Sequence, residues 1–204
     1  MILPAEEVRR DPHPPVALHD RAIDDLRFIR ETMVRSSAFT AISGVGVAAM
    51  GGVAIAAFWL ARGGTPAEWV RTWIVAAILG FAIAVTATIR KARKVGEPLA
   101  HGPGRRLILG SAPALLVGGV LTWPLLDTGR VELLPAVWIL LYGTAVTSGG
   151  AFSVRPVPLM GLVFLALGMG SLFLPPGYEN ATMLVAFGGV HVVFGAWIAR
   201  RHGG

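Results

Sequence analysis

AFTAISGVGVAAMGGVAIAAFWLA, residues Ala38 to Ala61, carries no charged side chain along its whole length. A helix rises about 1.5 Å per residue and the hydrocarbon core of a bilayer is about 30 Å thick, so a run of this length reads as a membrane span. Thr40, Gly44, Ala48, Gly52 and Ala56 recur at intervals of four, which predicts a face small enough for another helix backbone to approach. Gly52→Leu is then expected to disrupt packing.

Five further stretches repeat the pattern. The apolar runs predict spans at about 66–89, 107–126, 131–148, 157–174 and 181–199. The fold class expected is therefore all-α: a polytopic membrane helix bundle of six transmembrane helices, residues 36–204. Ahead of it, residues 1–35 are read as a cytoplasmic tail. Its first 15 residues hold Pro4, Pro12, Pro14 and Pro15 and predict irregular chain. Between Val16 and Arg35, Leu18, Ala22, Ile23, Leu26, Ile29 and Met33 recur at three and four, with Asp20, Asp24 and Asp25 early and Arg27, Arg30 and Arg35 late. That order suits the helix dipole and predicts an amphipathic helix, lying at the inner membrane surface or docking a cytoplasmic partner.

The connections are short. In RGGTPAEW, Thr65, Pro66 and Glu68 form a capping box that starts the second span. Gly110, Ala114, Gly118 and Thr122 give the third span a small stripe matching that of the first, and the two are expected to pair. The longest polar connection, RKARKVGEPLAHGPGRR from Arg90 to Arg106, reads as loop. The spans pair most simply as three hairpins.

Composition agrees with a membrane class. Of 204 residues, 54% are hydrophobic and only 15% charged, against about a quarter charged in soluble domains. The net charge of +6 raises nucleic acid as a partner, but the basic residues are sorted by loop. All 18 except Arg62, Arg71 and Arg130 fall on one side of the expected spans, which predicts cytoplasmic termini and no nucleic-acid role. Trp59, Trp69, Trp73 and Trp123 come out at the opposite interface, where aromatic rings anchor. The acidic, proline-bearing start does not have the order of a secretion signal. With no cysteine, disulfides and thiolate metal sites are excluded.

Ionisable groups deep in a membrane are costly and so mark function by default. His191 is the one such residue, near mid-depth of the last span. It suits a ligand site, with Tyr142 and Thr144 of the fourth span beside it, or, as the more usual state of a lone histidine, a neutral imidazole hydrogen-bonded to a hydroxyl on a neighbouring helix. Thr147 and Ser148 extend the polar strip of the fourth span, as cavity lining or as interhelical glue. Arg90, Lys91, Arg93, Lys94, Arg105 and Arg106, beside the HGPG fragment at 101–104, suit anionic lipid headgroups. No H-E-x-x-H, G-x-S-x-G or Walker-type motif occurs, so no enzyme, cofactor or metal is expected. A lipid-modifying enzyme would need His101 and His19 to meet a carboxylate.

At DDLRFIRETM, SSAFTAISGVGVAAMGG, GGAFSVRPVPLMG and GGVHVVFGAWIARRHGG the chain resembles an uncharacterised group of bacterial six-span membrane proteins. The resemblance implies an inner-membrane location and a shared fold, and assigns no site. The role expected is a membrane-embedded interaction or regulatory protein, with a homo-oligomer or a cytoplasmic protein as partner. The alternative is a small-solute transporter or channel with a pathway past His191 and Tyr142.

Overall fold

The computed structural model describes residues 15–36, 38–96 and 99–202. The irregular tail expected at the N-terminus lies outside them, apart from Pro15. The described chain is α-helical, with one isolated bridge between Phe39 and Ser153. It divides after Ser37 into two compact units. The first holds α1 (Pro15–Ser36), whose Ile23, Leu26, Ile29 and Met33 are exposed.

The second unit holds α2 (Gly44–Leu60), α3 (Pro66–Val95), α4 (Gly102–Asp127), α5 (Leu134–Gly150), α6 (Pro156–Ser171), and a last helical stretch made of α7 (Glu179–Met183), a π-helical segment (Leu184–Val190) and α8 (His191–His202). Among the described residues four stretches are long and apolar enough to cross a membrane: Pro66–Val95, Gly102–Asp127, Val131–Gly150 and Glu179–His202. The helices α2 and α6 are apolar but shorter, 17 and 16 residues.

The shortening of α2 has a local cause. Ser43 sits in the extended region and its side chain accepts the Gly46 N–H, so the helix starts at Gly44 rather than Ala38. Residues 38–43 lie ahead of the helix, and part of their polar backbone is satisfied from elsewhere. The Phe39 N–H donates to the Phe152 carbonyl at 2.8 Å, and the Ser153 hydroxyl donates to the Phe39 carbonyl at 2.7 Å. Phe39 and Ala41 are buried against Ala92, with Leu99 and Leu107 packed alongside.

The basic connection also differs from its expected extent. Helix α3 continues through Arg90–Lys94 to Val95 and stops at Gly96, whose φ of +70° few other residues adopt. Lysine and arginine are good helix formers and oppose the dipole at a C-terminus, so charge there did not mean loop. Pro103 likewise sits in the first turn of α4, where its missing N–H costs nothing. Only Gly96 to His101 remains between the helices. The Thr65–Glu68 capping box forms as expected, with 2.8 and 3.3 Å bonds.

Two triples make the bundle. Helix α2 packs on α3 and on the π segment with α8, while α5 lies between α4 and α6. The triples meet where α6 touches the last stretch and α5 touches α7. The third expected hairpin is thus corrected: α6 pairs mainly with α5, and α8 with α2. So is the pairing of the first and third spans, because the small face of α2 meets α8. A Cβ on Gly44 would collide with the Ala199 backbone, and one on Gly195 with Ala48. Gly51 meets Gly188 and Val192, and Gly188 meets Ile55. Gly52, by contrast, has open space around it and Ala56 is exposed.

The contacting set 44, 48, 51, 55 steps by four, three, four. A strict step of four advances about 40° per step beyond a full turn, so by Ala56 the expected stripe has left the interface by about 120°. In α4 the stripe holds over its shorter length, but against α5: Gly110 lies on Gly149, Gly118 on Leu141, with the intervening Ala114 partly buried. The Ser111 hydroxyl crosses between the two helices to the Ala145 carbonyl.

Candidate functional site

His191 follows the π segment directly and is 1% exposed. Its backbone N–H bonds the Gly188 carbonyl, leaving the Phe187 carbonyl for its own ring, where Nδ1 lies 2.9 Å away. A carbonyl only accepts, so Nδ1 carries the proton. In the neutral ring Nε2 then accepts from the Tyr142 hydroxyl, 2.7 Å distant across the junction of the two triples. Both ring nitrogens are satisfied, and the hydroxyl partner comes from a neighbouring helix.

The walls are aromatic. Phe187 stacks on the imidazole at 16°, and Phe164 meets it edge-on with centroids 5.2 Å apart. Tyr142 lies within 4.8 Å of the Phe164 centroid. Beside His191 a cavity of about 40 Å³ is lined by Met50, Ala54, Trp73, Gly80 and Phe187 among others. That space suits a water-sized guest, in a wall that offers it few polar partners.

Thr144 does not join this pair. Its hydroxyl donates to Leu140 on its own helix and it is exposed, because two residues along a helix turn the side chain by about 200° from Tyr142. Thr147 Oγ1 is buried without a hydrogen-bond partner among the described residues.

A second polar centre was not legible in the sequence. Asn180 Oδ1 accepts both indole N–H groups of Trp69 and Trp73, at 3.2 and 3.0 Å, and its Nδ2 donates to the Phe58 carbonyl in the last turn of α2. Trp69 stacks on Trp138, planes within 3°, and Trp138 donates to the Thr122 hydroxyl. One side-chain amide thus ties α7 to α2 and α3, and the stacked rings carry the tie to α5 and α4. Trp69 and Trp73 are therefore core residues rather than interfacial anchors, 8% and 3% exposed, whereas Trp59 and Trp123 are 62% and 74% exposed.

The six basic residues divide. Lys91 Nζ donates to the carbonyls of His202 and Ile42, at 2.6 and 3.0 Å, closing the end of α8 against the segment ahead of α2. The Arg106 guanidinium lies 5.8 Å from the Phe152 ring centroid. These two are engaged by the protein itself. Arg90, Arg93, Lys94 and Arg105 stand exposed. His101 is exposed too, and no group of three or more His, Cys, Asp or Glu able to hold a metal occurs among the described residues.

No family profile, curated protein sequence or solved structure matches this chain. Residue roles consequently rest on the geometry alone.

Proposed function

We propose that this chain is a multi-pass protein of the bacterial inner membrane, crossing it six times with both termini in the cytoplasm, and that its role is non-enzymatic: a membrane-embedded interaction or regulatory protein. Six crossings require α2 and α6 to span. At about 26 and 24 Å they fall short of the hydrocarbon core by roughly a turn of helix. The non-helical residues 38–43 before α2 and the turn residues 172–174 after α6 supply the missing length.

One observation carries the functional reading. The two polar centres, His191 with Tyr142 inside the bundle and Asn180 with Trp69 and Trp73 toward one end of it, are bonded within themselves rather than turned toward a passage. A solute pathway past His191 would need a wet, continuous space, and the cavity there is about 40 Å³. What the bundle leaves available at its basic end is exposed Arg90, Arg93, Lys94 and Arg105 for anionic headgroups; the first unit, taken by itself, offers the exposed apolar face of α1.

Removing residues 1–35 tests the role of α1. The truncated protein is expected to elute from detergent as the full chain does, and to lose a cytoplasmic protein that cross-links to the full chain. Retention of the same cross-link after truncation would sink this reading.

A further inference from the structure

At the end of the bundle that carries Asn180, a cavity of about 200 Å³ opens between the start of α5 and the chain leading from α6 into α7. Its polar wall consists of Glu132, Ser171, Tyr178, Glu179 and Thr182. The Ser171 hydroxyl donates its hydrogen to the Gly168 carbonyl at 2.7 Å, and the Thr182 hydroxyl donates to the Tyr178 carbonyl at 2.8 Å. Both therefore turn only lone pairs outward. Glu179 is held by the Gly177 N–H, 2.8 and 3.0 Å from its two oxygens, which fixes the carboxylate without neutralising it. Among the described residues Glu132 pairs with Arg130 at 4.0 Å, an exposed pair that contributes little. The wall is thus rich in acceptors and negatively charged.

The rest of the lining is apolar and stiff. Pro135, Pro175 and Pro176 fix φ on both sides of the cavity. The volume lies below the usual range for drug-sized ligands, about 300–1,000 Å³. We infer that this cavity binds a small organic ammonium ion, its N–H donors on Glu132 and Glu179 and its apolar body against the proline and leucine wall. An ammonium supplies donors and positive charge together, which a neutral alcohol of the same shape does not.

The inference is independent of orientation and of the role proposed for α1, because binding can be read on the full chain in nanodiscs, where both faces are open. Phenethylammonium is the probe and 2-phenylethanol its neutral counterpart, each titrated by calorimetry against protein-containing and empty nanodiscs. Saturable binding of the amine at one site per chain is expected, weakened about tenfold or more by Glu179→Gln and again by Glu132→Gln, with no saturable binding of the alcohol. Glutamine keeps an oxygen for the Gly177 N–H, and either single variant suffices should the double variant fail to fold. Equal affinity in the wild type and in both single variants, saturable binding of the alcohol, or heat no greater than that of empty nanodiscs would each overturn it.

Discussion

At the scale of single residues, the Tyr142–His191 hydrogen bond spans the junction between the two helix triples. Tyr142→Phe leaves the imidazole Nε2 buried with no donor, and an unsatisfied buried acceptor costs about 1–3 kcal/mol. Chemical unfolding in mild detergent should show a loss of that size. Replacing both partners by apolar side chains, Tyr142→Phe with His191→Leu, removes the orphan and should recover part of it. A Tyr142→Phe variant as stable as the parent would mean that the bond holds nothing. Asn180 illustrates the complementary case. An asparagine in a short turn looks like ordinary loop chemistry, and its partners lie 107 and 111 residues away.

Helix interfaces give a sharper test. Glycine appears on both the packed and the free faces of α2, and contact alone separates them. Gly52→Leu adds a side chain into open space and should change stability by no more than about 0.5 kcal/mol. Gly195→Leu drives a side chain into the backbone of α2 at Ala48, which cannot shift without separating the helices. Loss of the monodisperse peak on size exclusion is the expected outcome for Gly195→Leu, and retention of it for Gly52→Leu. The reverse order would return the interface to the strict four-residue stripe. The step-of-four stripe and the four-three-four seam share residues 44 and 48, and they diverge only with distance along the helix.

For the molecule as a whole, α3 and α4 are peripheral, with 11% and 6% of their most apolar windows buried inside the protein, against 44% for Glu179–His202. Their exposed apolar faces need a lipid solvent. Since the chain has no cysteine, single cysteines report sidedness directly. In intact cells an impermeant maleimide should label Arg62→Cys, Thr128→Cys and Pro176→Cys, and should reach His101→Cys and Arg155→Cys only after lysis. Labelling of any of the last two in intact cells would break the six-crossing arrangement.

The sequence by itself determined the class of molecule and its element types. Uninterrupted apolar runs, a capping box and charge sorted by loop are local signals that the backbone must obey wherever it folds. Several limits were local too: Ser43 caps α2 well inside the apolar run, and Arg90–Lys94 continue α3 past the end of its own. In an all-apolar run the hydropathy is the same on either side of a cap, so only the cap marks the boundary. Beyond the hairpins α2–α3 and α4–α5, which helix meets which was decided by tertiary structure. An apolar face in a membrane reads alike whether it meets lipid or protein, and the deciding quantities are backbone approach at Gly44, Gly51 and Gly195 and partners for buried donors at Asn180 and His191. Those depend on residues 49 positions apart for His191 and Tyr142 and more than a hundred apart for Asn180 and its indole partners, and no spacing within one helix encodes them.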